Sequence, residues 1–262
     1  MRLLCIGDAV SREGSDILER RLPALKREHR VDFTIVNGEN SALGNGIDSD
    51  AYKRLLAAGA DLVTGGNHSF QKKSAPALHE SQAWLLRPHN LKGFEGSGVK
   101  YIDCGSYVIR VINLIGSLFM GAEVENPFLV LDRVLADSQR ADITVVDFHA
   151  EASSEKRALG LYADGRVSLV YGTHTHVRTD DLQILNKGTG YITDIGMTGV
   201  VDSVLGKDSE VVIHNFKYPD NRRAIKDAKG PCMISGILAE IDQKSGKCIK
   251  LESIEVKERQ YN

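Results

Sequence analysis

The chain has 262 residues, a formal net charge of -2, 42% hydrophobic and 26% charged residues, and four cysteines. That length allows one sizeable core in a single large α/β or two-sheet domain, and the near-neutral balance gives no strong nucleic-acid footprint and no attraction to a membrane surface. Cys5, Cys104, Cys232 and Cys248 stand singly without C-x-x-C spacing, which argues against a zinc knuckle or a disulfide framework and fits reduced thiols in a cytoplasmic protein.

RLLCIG over 2–7 reads as a first strand, followed by a helix over 12–29 with Ile17, Leu18, Leu22 and Leu25 on one face. The apolar run of that opening strand is too short for a secretory h-region, and no stretch approaches the roughly 18 apolar residues of a membrane span. VDFTIVN over 31–37 and DLVTG over 61–65 are further strands, with a helix over 49–58 between them. YIDCGSYVIRVINLIG over 101–116 reads as a hairpin turning at Gly105-Ser106. Pro127 opens a helix over 127–139, and DITVVDF (142–148) and RVSLVYG (166–172) are a fourth and fifth apolar strand.

Ser153 or Ser154 is the expected cap of the helix after the fourth of these strands. MISGILAEIDQKSGKCIKLESIEV over 233–256 is a second hairpin, turning at Lys244-Ser245-Gly246. The β-α-β-α-β order predicts a layered α/β domain, whose five apolar strands are covered on both faces. The two hairpins are expected in a second, antiparallel sheet. With no repeat or linker, residues 1–262 read as one domain, with 200–230 as a loop or lid.

Each apolar strand ends in residues that bind metals. Asp8 follows the first, Glu39 and Asn40 the second, Asn67 and His68 the third, His149 the fourth, and His174 and His176 the fifth. Loops beyond the carboxyl ends of α/β strands gather at one edge, so these motifs predict a single cluster. Alone, Asp8 or Asn67 is more simply a cap or turn residue, and His149 a hydrogen-bonded core histidine. Together they offer carboxylates, carboxamides and imidazoles but no thiolate, a set suited to iron, manganese or zinc.

Seven donors exceed the need of one ion. A bridging carboxylate would hold two ions about 3.5–4 Å apart, and such a pair lowers the pKa of water and neutralises a phosphoryl group during in-line displacement. His174 and His176 lie one residue apart, and in an extended chain both rings face one site, one for each ion. His68, beside Asn67, is placed to donate a proton to a leaving oxygen. Arg87 and Asn90 are candidates for the pocket border, and Arg178 for a phosphate contact; no residue is assigned to substrate binding.

The stretches IGDAV, VNGENSALGNGI, GGNHSF, DFHAEASSEKRALG, YGTHTHVRTDD and GTGYITDIGMTGVVDSVLG resemble, in order, those of the YmdB-like phosphodiesterases within the calcineurin-like metallophosphoesterases. The likeness covers roughly residues 1 to 207. Val10 stands where the wider superfamily has a histidine ligand, and Glu39 where it has the bridging aspartate; both departures resemble the YmdB-like subgroup.

The resemblance implies a four-layer α/β/β/α sandwich, two ions of iron or manganese, and hydrolysis of a small-molecule phosphodiester or cyclic nucleotide, 3',5'-cyclic or 2',3'-cyclic. It implies Asp8, Glu39, Asn40 and His176 at the first ion, Glu39, Asn67, His149 and His174 at the second, His68 as the acid, and a possible homo-oligomer. The alternative is a metal-dependent nucleotide-sensing regulator with little or no turnover. A zinc nucleobase deaminase is disfavoured, because His149-Ala-Glu151 and Pro231-Cys232 are followed by Ser235 where a second cysteine is needed. G-x-G-x-x-G after the first strand, a Walker loop, G-x-S-x-G and H-E-x-x-H are all missing.

Overall fold

A computed structural model describes residues 1–258. The chain begins with β1 (Arg2–Ile6), β2 (Asp8–Ala9), α1 (Ser11–Glu28), β3 (Phe33–Asn37), α2 (Ser49–Ala58) and β4 (Leu62–Thr64). It continues through α3 (Ala75–Ser81), β5 (Val99–Asp103), β6 (Val108–Ile115), α4 (Pro127–Leu135), β7 (Ile143–His149), α5 (Ser153–Ala163), β8 (Leu169–Thr173), β9 (Gln183–Ile184) and β10 (Gly190–Ile192). β11 (Met197–Val200), α6 (Ser209–Lys217), β12 (Cys232–Ile241) and β13 (Cys248–Lys257) complete it.

Local chemistry sets several of these boundaries. Asp48 accepts from Ala51 N–H to cap α2, and Gly59, at φ 111°, ends it in the left-handed conformation. Asn126 accepts from the amides of Phe128 and Leu129, with Pro127 in the first turn of α4. α5 differs from expectation: its N-cap is Ala152, without a side-chain bond, and Ser153 is already helical.

Three apolar clusters separate four layers. Ile17, Leu18 and Leu22 of α1 and Leu55 of α2 pack on Leu4, Ile6 and Val36 of one sheet. Leu3, Cys5, Ile35 and Ile237 on the other face of that sheet meet Ile109, Val111, Val145 and Tyr171 of the second. Ile112, Val146 and Val170 then pack against Val130 and Leu131 of α4 and Leu159 of α5. The α/β/β/α sandwich follows from this alternation.

The first sheet has the order β2-β11-β12-β1-β3-β4, with β13 on the other edge of β12. The second has the order β5-β6-β7-β8-β10-β9. The five apolar strands are therefore divided, β1, β3 and β4 in one sheet and β7 and β8 in the other. The hairpins do not form a sheet of their own: β5–β6 extends the second sheet through β7, whereas β12 pairs antiparallel with β1. Residues 200–230 contain α6, which buries none of its residues.

The carboxyl ends of both sheets meet at one edge. There a polar network replaces the apolar interior: Asn37 Nδ2 lies 3.3 Å from Asp147 Oδ2, Thr64 Oγ1 donates to the same carboxylate, and Gly65 N–H donates to Asn113 Oδ1 at 3.0 Å. Ile237→Ala, at the centre of the inter-sheet layer, is expected to destabilise the chain by about 2–5 kcal/mol in urea unfolding.

Candidate metal centre

The seven predicted donors and His68 lie together at this edge. Asp8 is wholly buried in β2, where His176 Nε2 approaches its Oδ1 at 3.6 Å and His174 N–H donates to its Oδ2 at 3.2 Å. Glu39, just beyond β3, is buried too. Its Oε1 accepts from Asn40 Nδ2 at 2.8 Å and lies 3.3 Å from His149 Nε2, and its Oε2 accepts from His68 N–H at 2.9 Å. Asn67 Oδ1 reaches His149 Nε2 at 3.0 Å, and His174 Nδ1 reaches the same nitrogen at 3.1 Å. Donor atoms of Glu39, His149 and His174 all lie within 4.8 Å of one another.

Each imidazole is held by its outward nitrogen. His149 Nδ1 is 2.9 Å from Thr173 Oγ1, which itself donates to Asp147 Oδ1 at 2.8 Å, so the hydroxyl accepts from the ring while donating to the carboxylate. His174 Nε2 pairs with Glu151 Oε2 at 2.9 Å, and His176 Nδ1 with the carbonyl of Leu205 at 3.2 Å. With the rings neutral, this arrangement leaves the lone pairs on the inward nitrogens, Nε2 of His149 and His176 and Nδ1 of His174. Such outer partners fix tautomer and ring orientation in metal sites.

The charges favour a cation. Burial raises the Asp8 pKa, but the imidazoles of His176 and His149 beside it outweigh that and leave it lowered. Burial likewise opposes ionisation of Glu39, and His149 and His68 bring it well below the usual carboxylate range. Both carboxylates are thus anionic, and their ion pairs among the described residues are to imidazoles alone.

Asp8 Oδ1 and Asn40 Oδ1 are buried without a hydrogen-bond partner, at a cost that a cation would remove. A Cβ on Gly66 would lie 2.2 Å from Glu39 Oε2 and 2.3 Å from His149 Nε2, so glycine keeps the space between these donors open. Orphaned oxygens, an open cradle and an all N/O donor set fit a metal.

Secondary candidates fall away from this centre. Asn90 is buried and bonds to the backbone of Ile115 and Glu125, a framework role. The Arg87 guanidinium caps carbonyls of Pro88, His89, Leu91 and Gly96. Arg178 pairs with Glu255 of β13 at 3.6 Å. Sequence reasoning missed Glu151, Asp147 and Thr173; a lone carboxylate inside the apolar strand ITVVDFH was the available signal for Asp147.

The family model for YmdB-like protein matches residues 4–254. The chain belongs to this family. A 2',3'-cyclic-nucleotide 2'-phosphodiesterase from Bacillus subtilis (strain 168) is 43% identical over 256 residues, covering 97% of this chain and 96% of the relative. The crystal structure of a novel phosphatase from Mycoplasma pneumoniae superposes with a TM-score of 0.92 at 35% identity, covering 98% and 93% of the two chains. A hypothetical protein from Thermus thermophilus gives a TM-score of 0.92 at 37% identity, covering 99% and 100%. Among the described residues no helix is long and apolar enough to cross a membrane.

Two outcomes follow from the ring geometry. Thr173→Val removes the hydroxyl between His149 and Asp147 and is expected to weaken metal binding about 10–100-fold in chelator competition, with the circular dichroism spectrum unchanged. Burial works against protonation of His149, but Glu39 lifts its pKa from 6.5 to about 9 in the metal-free chain. The protonated ring therefore contributes stability fully below about pH 6.5 and loses it as pH rises through about 9. Because that proton competes for Nε2, metal affinity is expected to rise with pH over the same window.

Proposed function

We propose that the chain is a dinuclear metal phosphodiesterase acting on cyclic nucleotides, with 2',3'-cyclic nucleotides the first substrates to test. The observation that carries this reading is the convergence of seven N/O donors, with the rings of His149, His174 and His176 each held by the outward nitrogen so that the inward one faces the other donors. Asp8, Glu39, Asn40 and His176 would hold one ion and Glu39, Asn67, His149 and His174 the other, with Glu39 bridging. Iron or manganese suits this thiolate-free set. The relative at 43% identity carries a hydrolase's name, which favours turnover over nucleotide sensing.

Bound metal would supply Lewis acidity, ionising water near neutral pH and neutralising charge on the phosphoryl group. The chain's own residues do the rest. Buried Asp8 and Glu39 form an anionic floor, while His68, His174 and His176, with side chains 25%, 19% and 11% exposed, form the accessible rim. A phosphodiester enters over that rim.

His68 Nδ1 lies 3.2 Å from Glu39 Oε1, so Nε2 is left to face the substrate. His68 would give a proton to the ring oxygen as the P–O bond to it breaks, while the oxygen of water bonds to phosphorus and the proton that water loses passes to solvent. The product is a nucleoside monophosphate. His68→Ala is expected to lower kcat about 10²–10⁴-fold with metal content retained. Glu39→Gln should lose both ions by elemental analysis; two ions per chain in that variant would refute the bridging role.

A further inference from the structure

We propose that the buried ion pair Lys156–Asp194 is a positioning device for the metal-binding turn, setting the backbone conformation of His174; this rests on the metal-centre reading above. Lys156 comes from α5 and Asp194 from the turn between β10 and β11, with side chains 1% and 0% exposed and Nζ to Oδ2 at 2.6 Å. Their hydrogen bonds go to each other and to the main chain rather than to a predicted donor side chain. Both grip the main chain on either side of one.

Lys156 Nζ donates to the carbonyl of Thr173 at 2.8 Å, and Asp194 Oδ2 accepts from the N–H of Thr175 at 3.1 Å. Those two groups belong to the peptide planes that precede and follow His174. The relative orientation of two such planes is what φ and ψ of the residue between them measure. The ion pair thus bonds both planes that set the dihedrals of His174, the first of them held also by Ala150 N–H on the Thr173 carbonyl at 3.4 Å and by His174 N–H on Asp8 Oδ2 at 3.2 Å; the φ of 101° at His174 is rare for a side-chain-bearing residue. His176, two residues on, has φ 62°.

The rest of the contact surface reinforces the grip. Asp194 Oδ1 accepts from Gly196 N–H at 2.8 Å, and Gly172 carries no Cβ because one would lie 1.8 Å from the carbonyl oxygen of Thr193. Gly196 in turn lies against β2: its carbonyl accepts from Asp8 N–H at 3.2 Å. The same pair thus ties the histidine turn to the strand bearing Asp8. As a source of stability a buried pair is poor, since desolvation of both charges offsets their attraction. As a means of holding an unfavourable backbone it is effective, because each charge bonds a specific peptide group.

The test compares the native chain with Lys156→Met/Asp194→Leu, which replaces both charges by apolar groups, and with Asp194→Asn, which preserves volume. Metal content and affinity for manganese are measured by chelator competition, and thermal unfolding is followed on the metal-free forms. The expected result is a metal affinity about 10–100-fold lower in both variants, while the metal-free double variant melts no lower than the metal-free native chain.

Native affinity in either folded variant would overturn the proposal. A double variant that fails to fold would assign the pair to stability, and Asp194→Asn with native affinity would confirm that overturning. If the native chain itself binds no manganese or iron, the metal-centre reading falls and this one with it; a native chain that binds both ions beside variants that bind them equally well sinks only the positioning role.

Discussion

The constraint on which the rest depends is the burial of two ionised carboxylates, Asp8 and Glu39, with imidazoles as their only ion-pair partners among the described residues. Charge removed from water is tolerated only when it is compensated. Here nearby rings supply part of that compensation, and two orphaned oxygens mark where more is needed. The surrounding architecture serves this arrangement: glycine at position 66 keeps the space clear, and backbone and side-chain acceptors turn each ring so that its basic nitrogen looks inward.

The electrostatics of the metal-free site illustrate the same point. His149 and His174 meet at 3.1 Å, and both cannot be protonated at once. Burial and the charge on His149 depress His174 to about 4, whereas the carboxylates raise His149 to about 9. The proton on His149 therefore stands where a cation would. Exchange of that proton for a metal couples the site to pH through ordinary competition.

The convergence of the predicted donors was legible in the sequence because each follows an apolar run that reads as a strand, and strand ends converge. Their assignment to one sheet was not legible. Apolar runs such as RLLCI and TVVDF look alike whether they lie in the first or the second sheet, since both are buried on two faces; the allocation depends on which hairpin strand pairs with β1, a long-range choice. α6 escaped notice although Val212, Ile213 and Phe216 recur at helical spacing, because the apolar run of three within a charge-rich stretch is too short to declare its period. The outer partners escaped because Leu205 acts through a carbonyl, and Thr173 and Glu151 belong to common residue types whose meaning depends on a ring nitrogen beyond sequence reach.

The sandwich places the predicted donors on opposite sides of the inter-sheet layer. Asp8, Glu39, Asn40 and Asn67 travel with the first sheet, and His149, His174 and His176 with the second, while Leu3, Cys5, Ile35 and Ile237 interlock with Ile109, Val111 and Val145 between them. The packing of one sheet on the other thus sets the gap between carboxylate and imidazole. The hydrocarbon layer therefore works as the site's ruler. A change in its thickness deep in the molecule would reach the reacting end as an error in ligand spacing.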